Sequence, residues 1–153
     1  MKAKDIMVTD VPMISRKAPV SEAVKILRQN FGDESFLNAA PGLIVVNDTG
    51  ELAGILSPLS VIRALLANSE SLPIPPAPNN EFFATLCSSL QQKRVEDVMD
   101  WQPIWVTEDA NILELAKLVA AHMFQRLPVV ADGKVVGIIY RSRLLFAMTK
   151  SLL

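Results

Sequence analysis

The chain writes one pattern twice, and a repeat constrains a fold more tightly than any local propensity. Near the start stands KDIMVTDVPMIS, from Lys4; later stands EDVMDWQPIWV, from Glu96. Each holds an acidic residue, an aliphatic, a methionine, a short polar gap, a proline and an apolar strand-like run. Next come APVSEAVKILRQNF and ANILELAKLVAAHMF. Val20, Val24, Leu27 and Phe31 recur at helical spacing in the first, and Ile112, Leu115, Ala116, Val119 and Met123 in the second. GLIVVNDTGELAGIL and RLPVVADGKVVGII then read strand, glycine-containing turn, strand. SPLSVIRALLANS and RSRLLFAMTKSLL close the two copies as helices.

Each copy therefore predicts a strand, a helix, a hairpin and a helix. The strands are almost continuously apolar, as strands covered by helices on at least one face must be. A single copy of this size buries too little surface to be stable alone. Two copies packed sheet to sheet remove that difficulty. The expected architecture is α/β (α+β), with pseudo-twofold repeats over residues 1–68 and 94–153. Gly54 and Gly137 should be equivalent, at points where other backbone approaches closely. Between the repeats, residues 69–93 hold a proline-dense stretch, PIPPAP, that cannot continue a helix and reads as an exposed, semi-extended linker. A helix should follow it, with Phe83, Leu86 and Leu90 on one face. The first copy is longer by NFGDESFLNAAPG, which reads as an inserted loop.

Composition then limits the function. Half of the 153 residues are hydrophobic, enough for a core. Lys plus Arg number 15 against 16 for Asp plus Glu, so no global basic field exists for nucleic acid or an anionic membrane. No apolar run approaches the ~20 residues of a bilayer span. MKAKDIMVTD lacks the apolar core of a signal peptide, and Cys87 is the single cysteine. These features predict a cytoplasmic protein without disulfides or membrane partners. His122 and Cys87 are too few for a metal set, and no nucleophile–base pair or phosphate loop is present, so neither metal nor catalysis is expected. Asp132-Gly133 reads as a hairpin turn.

The pattern resembles a CBS-domain pair, the Bateman module, in its stand-alone form. The resemblance rests on Asp5-Ile6-Met7 and Asp97-Val98-Met99, on the paired VV strands, on the Gly-aliphatic-aliphatic strands and on RLPVV at Arg126–Val130. It implies two βαββα halves in a disc that commonly dimerises, with a regulatory role. It also implies AMP, ATP or S-adenosylmethionine as possible ligands in clefts between the halves. The family's ligand signature is Gly-aliphatic-aliphatic-Ser/Thr-x-x-Asp, whose Asp holds the ribose hydroxyls. Here it falls on Gly54 to Ser60 and on Gly137 to Arg143. Ser57 matches the hydroxyl position and Ser60 occupies the Asp position. Tyr140 replaces the second hydroxyl, and Arg143 the second Asp.

The candidate ligand-binding residues are thus Ser57, Ser60, Arg126, Tyr140, Arg141 and Arg143. Ser57-Pro58 also fits an N-cap with proline in the first helical turn. Arg126 either meets ligand phosphates or is an edge arginine paired with a carboxylate. Tyr140 would fill space that a ribose could use. Arg141 and Arg143, beside a helix start, would favour an anion or simply be solvated. Trp101 and Trp105 fit core or dimer contacts better than base stacking. Two functions remain open. One is a ligand-sensing regulatory module for an adenine nucleotide or related anion. The other is a ligand-free dimerisation or interaction module with degenerate nucleotide sites. Both imply a homodimer, built from the helices after or before the hairpins, and a regulated partner protein.

Overall fold

The computed structural model describes residues 1–29, 42–101 and 104–153. Phe31 and the insertion up to Pro41 lie outside the described residues. A one-turn helix α1 (Ala3–Ile6) leads into β1 (Met13–Ser15), α2 (Val20–Gln29), β2 (Leu43–Val46), β3 (Leu52–Leu56) and α3 (Pro58–Ser69). The connection carries α4 (Asn80–Ser88). A 3-10 turn at Val95–Asp97 then opens the second repeat, with α5 (Ile112–His122), β4 (Arg126–Ala131), β5 (Lys134–Tyr140) and α6 (Arg141–Met148). In the connection, Leu86 and Leu90 are buried but Phe83 is exposed, so the face expected there is only partly used.

The hairpins match step for step. Val45 lies opposite Gly54 and Val129 opposite Gly137, and each ladder shifts register at the next residue. Asp132 and Gly133 both have positive φ, as the tight turn requires. The first strands differ. β1 pairs in parallel with β2 over Met13–Ser15, whereas among the described residues its counterpart is a single parallel bridge, Val106 to Val129. Proline explains the loss. Ile44 N–H donates to the Pro12 carbonyl at 3.0 Å. The matching residue of the second repeat is Pro128, which has no N–H to give.

The expected sheet-to-sheet packing is present. Ile44, Ile138 and Tyr140 form the shared layer, with Val8, Val46 and Ile55 packed against them. Alternate residues of the same strands face the helices. Leu43, Val45 and Leu56 build one helix-side core, and Leu127, Val129 and Ile139 the other.

The repeats also exchange their leading segments, which the sequence pattern did not predict. Ala3 and Ile6 belong to the core of the second repeat, and Val95 and Met99 to that of the first. Val8 exchanges two backbone hydrogen bonds with Ile138, and Asp100 exchanges two with Ile55. This gives the Asp-aliphatic-Met motif a physical meaning. The carboxylates of Asp5 and Asp97 accept from the N–H groups of Lys2 and Arg94, at 2.7 and 2.8 Å, and cap the leading turn. Each methionine then lies over the hairpin glycine of the opposite repeat, Met7 over Gly137 and Met99 over Gly54.

Candidate functional site

The candidate residues gather at the two pseudo-equivalent corners where a hairpin strand ends and a helix begins. In the first corner, β3 runs into α3 through Ser57. Its hydroxyl accepts from Ser60 N–H at 3.3 Å, and Ser57 N–H donates to the Ser60 hydroxyl at 3.2 Å. Pro58 holds the first helical position. The N-cap reading is therefore correct, and Ser60, standing at the family's Asp position, closes the capping box.

The dyad brings a second-repeat residue to this corner. Leu43 pairs with Leu56, so the ladder runs on toward Gly42 beside Ser57. The guanidinium of Arg126 rests on Gly42: a Cβ there would sit 2.5 Å from Arg126 Cζ. GLIVV and RLPVV align Gly42 with Arg126, so equivalent residues of the two repeats meet face to face. Arg126 is only 8% exposed, so it is not a solvated surface arginine. Burial pushes the guanidinium below its ordinary pKa, and the neighbouring Tyr140 opposes that shift.

The second corner is occupied by the chain's own bulky side chains. Tyr140 lies opposite Arg126 in the ladder and is 7% exposed, packed in the shared layer. Arg143 runs back to α1 and donates to the Ile6 carbonyl at 3.3 Å. It lines a hollow of about 330 Å³ together with Asp5, Phe146 and Lys150. Arg141 is exposed at the start of α6, and its N–H donates to the Gln125 carbonyl at 3.0 Å. Arg126 and Arg143 are thus directed to different places, one to Gly42 and the other to Ile6. Trp101 and Trp105 are about half exposed, so neither is a core residue. Trp101 is oriented by its indole N–H, which donates to the Glu96 carbonyl at 2.9 Å.

Gly42 and Ile6, which meet Arg126 and Arg143, were not among the candidates read from the sequence. The repeat alignment carried a signal for Gly42, because it stands where the second copy has Arg126. Ile6 takes part through its backbone carbonyl, which no residue type advertises.

The family model of the CBS domain matches residues 3–67 and 95–150. The chain belongs to the CBS-domain family. Both matched segments begin at the leading turns, so each CBS domain of this pair includes the segment that it lends to the other. An uncharacterized protein of Methanocaldococcus jannaschii is 29% identical over 97% of this chain and 91% of its own length. The Arabidopsis thaliana CBS-pair protein CBSX2, solved in complex with AMP, is 26% identical. It covers 99% of this chain and 98% of its own, with a TM-score of 0.71. A CBS domain-containing protein of unknown function from Kribbella flavida shares the fold at a TM-score of 0.75 and 21% identity, over 97% of this chain and 99% of its own. No described helix is long and apolar enough to cross a membrane.

Proposed function

We propose that this CBS-domain pair is a regulatory module that takes an adenine nucleotide at its first corner, one ligand per chain. The asymmetry of the two corners carries the reading. The first has small residues at Gly42, Ser57 and Ser60 and a guanidinium from the opposite repeat. In the second, Tyr140 fills the hydroxyl position and Arg143 is tied to Ile6. The AMP complex of CBSX2 supports the choice of ligand class. Ser60 in place of the family's Asp removes the carboxylate grip on ribose, so affinity shifts toward the phosphates. Guanidinium forks match phosphate oxygens, and the start of α3 adds N–H donors.

Calorimetric titration with adenosine, AMP and ATP at low and moderate salt tests this. The expected order is ATP, then AMP, then adenosine, with one site per chain and tighter binding at low salt. Arg126→Lys should keep binding but narrow the gap between ATP and adenosine, because Lys lacks the planar fork. Adenosine binding as tightly as ATP, or two equal sites per chain, refutes the mode. Absence of binding by all three selects the ligand-free interaction module instead.

Assembly as a homodimer belongs to the same proposal. Leu59, Ile62 and Leu66 form an exposed stripe on α3, and α6 also exposes apolar side chains at Leu145, Phe146 and Met148. These equivalent helices would pack with a second copy, so that a ligand in the corner shifts the geometry of the pair. A chain that sediments as a monomer at about 50 μM, well above the Kd of a ~1 μM dimer, removes this part.

A further inference from the structure

The two docks that hold the leading segments use the same backbone bonds. Ala3 and Lys4 N–H donate to the carbonyls of Ala110 and Glu108, at 2.7 and 3.0 Å. Val95 and Glu96 N–H donate to those of Ala18 and Arg16, at 2.8 and 2.9 Å. Backbone geometry alone therefore does not distinguish docking on the opposite repeat from docking on a segment's own repeat. The apolar content does so only weakly: alanine or valine, isoleucine or valine, and methionine fill matching places in the two segments, with the largest difference in volume at the buried Ala3 and Val95.

The charges do distinguish them. The first segment is basic and rests on an acidic loop: Lys2 and Lys4 lie 3.2 and 3.6 Å from Asp109, next to Glu108. The second presents Glu96 to a basic loop, 3.6 Å from Arg16, next to Lys17. Repeat alignment makes Lys4 equivalent to Glu96, Arg16 to Glu108 and Lys17 to Asp109. The sign is reversed at these three positions, whereas Lys2 and its equivalent Arg94 are both basic, so the discrimination rests on Lys4 and Glu96. Docked on its own repeat, Lys4 would face Arg16 and Lys17, and Glu96 would face Glu108 and Asp109.

We infer that this reversal is a recognition code that assigns each leading segment to the opposite repeat. The pattern is a matched attraction at both cognate docks with a like-charge clash at both alternatives, which is how specificity is built into paired surfaces. Each leading segment also pairs with a strand that ends at a candidate corner, Val8 with β5 and Asp100 with β3. The code therefore sets which residues surround each corner.

Amide hydrogen exchange of the full chain, resolved by residue, tests it. Glu96→Lys makes both segments basic. In that variant, protection of the Val95 amide and of the amide that follows it should fall about three- to tenfold, the range for losing the partly exposed pairs of Glu96 with Arg16 and Arg94 and gaining a repulsion. The Ala3 and Lys4 amides should be unchanged. Adding Arg16→Glu should restore protection of Val95 to within about twofold, a difference of ~0.4 kcal/mol. For wild type, ~1 M salt should lower protection of both docks while leaving Ile138 unchanged. Unaltered Val95 protection in Glu96→Lys, no rescue by Arg16→Glu, or salt-independent protection of both docks overturns the inference. If Glu96→Lys does not fold, the wild-type salt series decides alone. None of these readouts involves a nucleotide, so failure here is separable from failure of the ligand reading.

Discussion

Replacing each hairpin glycine with alanine should have unequal consequences, although the two occupy equivalent places. At Gly54 the added Cβ would run into the backbone carbonyl of Asp100 and would lie 2.7 Å from Met99 Sδ. That carbonyl accepts from Ile55 N–H, and Asp100 N–H returns the bond, so relief requires breaking this exchange. Overpacking costs about 1–3 kcal/mol. Losing the hydrogen-bond pair adds about 1–2 kcal/mol. The smaller freedom of alanine in the unfolded chain returns about 0.4–1 kcal/mol. The net for Gly54→Ala is about 1–4.5 kcal/mol, from the same terms. At Gly137 the near atoms are Sδ, Cγ and Cβ of Met7, at 2.6, 2.9 and 3.1 Å. Met7 is half-buried and its thioether can swing away, so Gly137→Ala should cost about 0–2 kcal/mol. Urea unfolding at one fixed protein concentration measures both. With a slope of ~2 kcal/mol/M, the midpoint of Gly54→Ala should fall by roughly 0.5–2 M. In a Met7→Ala background, Gly137→Ala should become neutral, whereas Met99→Ala should not rescue Gly54→Ala. Equal penalties at the two glycines, or rescue of Gly54→Ala by Met99→Ala, would refute the argument from backbone obstruction.

Ser57→Ala removes the acceptor of the α3 cap and should cost about 0.5–2 kcal/mol in thermal unfolding, while Ser60→Ala, which leaves that acceptor, should cost less. Tyr140→Ser empties a buried aromatic site and should cost about 3–5 kcal/mol, whereas Tyr140→Phe, which keeps the ring, should stay within about 1.5 kcal/mol. Asp109, Asp48 and Glu51 are held below the ordinary carboxylate range, by hydrogen bonds from Lys2, from Lys17 and from Thr49 respectively. Their folded pKa values lie below the unfolded ones, so their contribution is complete above about pH 5 and is lost as pH falls through the folded values. The melting temperature should therefore drop on acidification below about pH 4, and Asp109→Asn should flatten that drop; a melting temperature that rises toward pH 3 contradicts the assignment.

Legibility from the sequence differed among the candidate residues for physical reasons. Ser57 was readable as a cap because N-capping is a local arrangement among four consecutive residues. Asp132-Gly133 was readable because a two-residue turn selects for positive φ at its own positions. Arg126 was less so: its residue type suggests exposure, and only the glycine facing it explains its burial. The strand at Val106 was overestimated because β-propensity does not register whether the neighbouring strand has an N–H to offer, and Pro128 does not. Trp101 and Trp105 were read as core or dimer contacts, and about half exposure in the single chain removes only the core alternative.

The sequence by itself determined the repeat, the order and type of most elements, the turns and the equivalence of Gly54 with Gly137. All of these follow from residues a few positions apart, whose periods and backbone preferences act locally. Only the tertiary structure decided which repeat each leading segment joins, that Gly42 receives the Arg126 side chain, and that Tyr140 lies in the layer between the sheets. These contacts are made across the pseudo-twofold axis between residues far apart in the chain. A local pattern reads the same in both copies, so it leaves open on which side of the dyad each partner is found.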